Sequence, residues 1–100
     1  MAEFRIEIGP AAKKEFAKLP REIQIRIKPA IDFLRFDPRP QGDEKIQGLK
    51  DCFRLRVGQF RVIYQVHDQE VLILVLAIGD RKDIYRKVLA KIKPRMRSRK

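Results

Sequence analysis

The run Val71–Ile78, VLILVLAI, constrains this chain more than any other stretch. Eight consecutive apolar residues give a strand no face that can rest in water, so the run predicts a central strand of a sheet. It is far too short to cross a bilayer, which takes about 20 apolar residues as a helix. One hundred residues suffice for one domain with a modest core. No charged n-region followed by an apolar h-region opens the chain, so nothing suggests export. A single cysteine, Cys52, cannot form an internal disulfide, and a reducing cytoplasm is the expected setting.

The flanking segments suggest how that strand is accommodated. Phe4–Ile8, FRIEI, alternates apolar and charged residues as a half-buried strand does. Gly9-Pro10 ends it and places proline in the first turn of a helix. Ala12, Phe16 and Leu19 fall on one face of that helix, and Pro20 closes it. Ile23, Ile27, Ile31 and Leu34 mark a second amphipathic helix, making an αα-hairpin. Pro29 lies inside it and lacks the N–H that would reach the Ile25 carbonyl, so a kink or two short helices is expected. DPRPQGD, Asp37–Asp43, reads as a loop within the domain. Three antiparallel strands follow: Cys52–Val57, Phe60–Val66 and Val71–Ile78, with His67–Glu70 as the second turn. Residues 81–92 suit a short helix stopped by Pro94, and a basic tail follows. The expected class is α+β: an N-terminal strand, a helical hairpin, a three-strand meander completing one sheet, and a short C-terminal helix. Residues 1–93 form the expected domain and 94–100 the tail.

Gly58-Gln59 suits a two-residue hairpin turn of the kind that takes glycine first. That turn fixes the register: Val57 faces Phe60, Arg56 faces Arg61, Leu55 faces Val62, Arg54 faces Ile63, and Phe53 faces Tyr64. Phe53, Leu55, Val57, Phe60, Val62 and Tyr64 then share the core face, and Arg54, Arg56 and Arg61 share the other. Like charges directly opposite in a ladder are destabilising, by roughly 0.2–1 kcal/mol. A solvated face of a basic protein would account for them. So would a preformed anion site, because guanidinium groups grip phosphate in a planar, two-pronged way. Guanidiniums locked against carboxylates, or set on opposite faces, would remove the second reading.

Charge distribution and the next segment favour the anion site. Residues 81–100 hold ten lysines or arginines and one acid, Asp83, so +9 of the net +11 lies there and +2 lies in residues 1–80. Such a stripe points to nucleic acid, an anionic membrane or an acidic protein as partner. IGDRKDIYRKV places Arg81 just past the apolar strand and Tyr85 four residues on, on one side of a helix if one starts there. A tyrosine beside phosphate-binding arginines can stack on a base, although a core aromatic is the commoner fate. Other chemistry has little support. His67, the sole histidine, reads as a surface turn residue, and Cys52 as a buried strand residue. Asp80 and Asp83 lack metal-ligand spacing, and there is no glycine-rich phosphate loop.

IQGLKDCFRLRVGQFRVIYQV and VLILVLAIGDRKDIY resemble the RelE/ParE family of toxins, and more its RelE branch, the messenger-RNA interferases. The N-terminal strand and helical hairpin match more weakly, and the whole covers nearly the full chain in order. The resemblance implies a cytoplasmic toxin neutralised by a cognate antitoxin that wraps around it, with no role at a membrane. It implies entry into the ribosomal A site, contact with rRNA, and cleavage of mRNA there by the RNA's own 2′-OH. The products would be a 2′,3′-cyclic phosphate or its opened form and a 5′-OH, with no metal or other cofactor. The positions carried over are Arg54, Arg56, Arg61, Arg81 and Tyr85. By the resemblance, Arg61 and Arg81 neutralise the pentacovalent phosphate, Arg81 also aiding the leaving oxygen, and Tyr85 orients the nucleotide. Lys50, Lys82, Arg86 and Lys87 are the accompanying RNA-binding candidates.

The chain departs from that pattern by carrying Arg54 and Arg56 where RelE nucleases commonly have lysines. An arginine effectively never loses its proton, so neither can serve as general base. Lys50, Lys82, or positioning of the 2′-OH alone are the alternatives. The competing function is a ParE-type inhibitor of DNA gyrase with no catalysis, on the same fold. A third is a nucleic-acid-binding module without activity. The arginine face with Arg81 and Tyr85 separates the first from the second, since gyrase poisons generally lack that set.

Overall fold

A computed structural model describes residues 3–40, 42–80 and Ile84. Among them, strand β1 (Arg5–Ile8) leads into helices α1 (Pro10–Ala17) and α2 (Arg21–Phe33). Strands β2 (Glu44–Lys45), β3 (Cys52–Val57), β4 (Phe60–His67) and β5 (Leu72–Asp80) follow. One five-stranded sheet runs in the order β1-β5-β4-β3-β2. β3, β4 and β5 form the expected antiparallel meander, and β1 lies parallel to β5 on its far side. The apolar run is therefore flanked by a strand on each side, as its composition requires.

Both helices pack on one face. Ala12, Ile27, Ile31 and Leu34 meet Val62, Tyr64, Val66, Ile73, Val75 and Ile78, and Phe16, Leu19 and Ile23 close the margins. The opposite face is not open either. Ile63, Ala77 and Ile84 form a second, smaller cluster there, bordered by Ile46, Leu49 and Leu76. This explains why β5 is apolar on both faces. Ile84 is helical and buried; the remainder of the expected 81–92 helix and the 94–100 tail lie outside the described residues.

Several local expectations need correction. α2 is a single helix through Pro29, neither broken nor split in two. Ile25, whose carbonyl loses its helical partner, is 62% exposed, so water can satisfy that oxygen. Val71 does not begin β5. It has φ +52°, closes the turn by donating its N–H to Asp68 O (3.1 Å), and accepts the Arg5 N–H (2.8 Å). His67 belongs to β4, opposite Leu72, and is half-buried with a shielded Nε2, not a surface turn residue. β2 was not foreseen, because two residues carry no alternation to read.

Two polar contacts fasten the layers. β1 stops pairing with β5 at Ile8↔Val75, which leaves the Ile78 N–H beyond its end. Glu15 of α1 accepts it at 2.8 Å. Tyr64, fully buried, donates its hydroxyl to Asp43 Oδ2 (2.7 Å), with Pro38 O also at 3.0 Å, tying the 37–43 loop to the sheet. Burial, then Asp43, pushes the Tyr64 pKa well above its usual value, so it remains a neutral donor. Burial likewise raises Asp43 above its usual 3.8, against a lowering by the Tyr64 hydrogen bond.

Candidate functional site

The β3–β4 register is the one that the two-residue turn dictates, from Phe53↔Tyr64 to Val57↔Phe60. Gly58 has φ +60° while Gln59 keeps negative φ, the signature of a turn whose first residue is glycine. Arg54, Arg56 and Arg61 consequently share the face away from the helices, with Arg56 directly opposite Arg61. On its other side Arg61 pairs with Gly79 of β5, where no side chain competes for space.

The three arginines stand in different environments. Arg61 is only 8% exposed, and its Nη1 donates to Gly58 O and Phe60 O, each at 3.0 Å. Those two partners are carbonyls, which fix the direction of the guanidinium. Arg56 is exposed. Arg54 forms an ion pair with Glu44, its cross-strand neighbour on β2, with Arg54 more buried than Glu44. One of the three guanidiniums is thus held against a carboxylate, which takes Arg54 out of the set poised for an incoming phosphate. Convergence on one face holds for all three.

Two further residues join this region without any signal in the sequence. Arg26 reaches from α2 to the hairpin tip, where its guanidinium atoms lie 3.5–3.8 Å from the point a side chain on Gly58 would occupy. The contact spans 32 positions of chain, beyond what periodicity can reveal. Glu44 arrives through β2, whose pairing is equally non-local.

Lys50 is exposed in the turn before β3, at the other end of that strand from Arg56. Its carbonyl accepts Gln65 Nε2 at 3.1 Å. Arg81, Lys82, Tyr85, Arg86 and Lys87 lie outside the described residues. Cys52 is buried, and burial followed by the Asp51 charge raises its thiol pKa, the reverse of what a nucleophile needs. Among the described residues, no three histidine, cysteine or carboxylate side chains gather as metal ligands. No described helix is long and apolar enough to cross a membrane.

The arrangement offers a fixed guanidinium, an exposed one beside it, and a carboxylate one pair away. Such a surface can receive a phosphodiester and stabilise added negative charge on it.

Residues 6–85 match the family model for the ParE toxin of type II toxin–antitoxin systems. An Escherichia coli protein named as RelE-like toxin is 33% identical over 86 residues, covering 82% of this chain and 90% of its own length. The mRNA interferase toxin RelE of Escherichia coli K12 is 29% identical, covering 92% of this chain and 99% of its own. The crystal structure of the intact E. coli RelBE toxin–antitoxin complex contains a chain that superposes with TM-score 0.71 at 25% identity. That match covers 77% of this chain and 95% of the other.

Proposed function

Because the chain belongs to the RelE/ParE toxin superfamily, in its RelE-like branch, we propose that it is a ribosome-dependent endoribonuclease that cuts mRNA in the A site. The observation that carries this reading is the pairing of Arg56 with Arg61 on the face away from the helices. Two like charges directly opposite in a ladder cost stability, and a bound anion offsets that cost. Relatives named mRNA interferases support the same reaction class.

In this mechanism the substrate's 2′-oxygen attacks the adjacent phosphorus and the 5′-oxygen leaves. Negative charge accumulates on the phosphoryl oxygens as five bonds form at phosphorus. Arg61 is held by backbone carbonyls before substrate arrives, so it needs little reorganisation to meet that charge. Arg56 supplies the second, solvent-side cation. Arg81 and Tyr85 take the roles that the family resemblance gives them, at the phosphate and the nucleotide. Lys50, Lys82, Arg86 and Lys87 would grip RNA phosphates around it. Ribosomal RNA and the A-site codon are the partners during cleavage. A cognate antitoxin is the partner at rest, as relatives of this chain are seen in complexes of that kind.

The match to a ParE model favours one other reading, a non-catalytic inhibitor of DNA gyrase. Primer extension on mRNA in a translating extract separates the two. Cuts within A-site codons support the nuclease. Intact mRNA together with trapped gyrase–DNA complexes would overturn it.

A further inference from the structure

The proposed cleavage needs more than a grip on one phosphate. The strand must also run past that phosphate in a fixed direction, which takes a second contact. We infer that Arg26 makes it, by binding the mRNA phosphate next to the scissile one. This inference rests on the proposed nuclease reading and extends its substrate site.

Arg26 belongs to α2, on the helix-covered side of the sheet, yet its guanidinium ends at the hairpin tip. Its Nη2, Nη1 and Cζ lie 3.5, 3.6 and 3.8 Å from the point a Cβ on Gly58 would occupy. Arg61 comes to the same glycine from the other face, with Nη1 3.0 Å from Gly58 O. The two guanidiniums therefore stand within about 10 Å of each other, the width of one residue and its two contacts. The tip is the corner where the two faces of the sheet meet, so a single strand that crosses it passes both cations. Arg56, opposite Arg61, continues the same track.

The course of the Arg26 side chain supports a ligand there. Glu22 lies four residues earlier on α2, at the spacing and in the order that favour a helical ion pair. That pair does not form, and among the described residues no carboxylate is within ion-pairing distance of Arg26. The residue is exposed, so its guanidinium is open to an incoming anion. Two cations at one turn repel each other, and a phosphate bound beside them reverses the sign of that interaction. Other described arginines are engaged elsewhere. Arg5 pairs with Glu7, Arg35 with Asp32 and Arg39 with Asp68. Arg21 lines a groove of the helical hairpin with Ile25 and Lys28.

A phosphodiester beside the cut keeps its single negative charge through the reaction, so Arg26 binds it equally before and during the attack. Loss of Arg26 therefore weakens capture of the strand. Loss of Arg56 or Arg61 instead removes charge stabilisation at the reacting phosphorus.

The test is single-turnover cleavage of mRNA on programmed ribosomes at subsaturating toxin. Arg26→Ala should slow cleavage about 10–100-fold, the loss of one charge-assisted contact, with thermal unfolding unchanged. Arg26→Lys keeps the charge and should recover part of the rate. A neutral methylphosphonate is then placed in the mRNA at each linkage flanking the cut, one at a time. At one of the two it should slow the wild-type protein by a similar factor and slow Arg26→Ala hardly further. An alanine variant that cleaves within about threefold of wild type would overturn the inference and leave the nuclease reading intact. So would one that loses as much as wild type at both methylphosphonates. Uncut all-phosphate mRNA with the wild-type protein would instead overturn the nuclease reading on which the inference rests.

Discussion

Tyr64→Phe isolates one hydroxyl at the join between loop and sheet. The ring of Tyr64 is fully buried and stacks on Phe53 with centroids 5.8 Å apart and planes inclined by 23°. Phenylalanine preserves that packing, so the loss comes from the hydrogen bonds alone. The hydroxyl serves a carboxylate at 2.7 Å, and a bond to a charged group contributes about 1.5–3 kcal/mol. A loss of ~2 kcal/mol corresponds to a fall in Tm of about 10 °C for a domain of this size. The penalty should also depend on pH. Burial holds the Asp43 pKa above 3.8 in the folded protein, and the Tyr64 bond restrains that rise. A carboxylate raised by folding keeps extra protons in the native state, so its contribution to stability is lost as pH climbs above its ordinary value. Removing the restraint widens that window, and Tyr64→Phe should cost more at pH 7 than at pH 4. Asp43→Asn retains an acceptor without the charge and should flatten the dependence. Thermal unfolding at the two pH values, followed by circular dichroism, measures both effects. A Tm change below about 2 °C, or a penalty equal at both pH values, would refute the reasoning.

Arg56→Ala should leave Tm unchanged, because the side chain is exposed. It should slow cleavage and reduce the salt slope of ribosome binding by about one, the loss of one phosphate contact. Arg61→Ala should lower both activity and Tm, since the guanidinium also holds the Gly58 and Phe60 carbonyls, and unfolding scans of the two variants distinguish these roles. Pro29→Ala should stabilise the protein by about 1–3 kcal/mol in urea titrations, because proline stands inside a helix that continues past it.

The central hairpin was legible in the sequence because its determinants are local. A two-residue glycine turn and strict alternation settle register, faces and the Arg56–Arg61 opposition without any distant information. The apolar run announced an interior strand for the same reason. The two-helix alternative at Pro29 fails because Ile27, Ile31 and Leu34 bury one continuous face across it and the lost bond falls on the solvent side. Hydrophobicity places Val71 in β5, yet the turn needs its left-handed backbone and β1 uses its carbonyl. Glu44 and Arg26 were invisible because each reaches the arginine hairpin through a contact between distant segments. The ion pair at Arg54 shows the same limit: alternation gives the face of a side chain and says nothing of who meets it there.

In the proposed reaction this surface holds an mRNA phosphodiester while the neighbouring 2′-OH attacks it. The most direct measurement compares programmed ribosomes carrying an all-ribose A-site codon with ones carrying a single 2′-deoxy nucleotide at the cut position. The first should be cleaved, leaving a 2′,3′-cyclic phosphate and a 5′-OH, and the second should stay intact. Equal cleavage of both, or of neither, would contradict it.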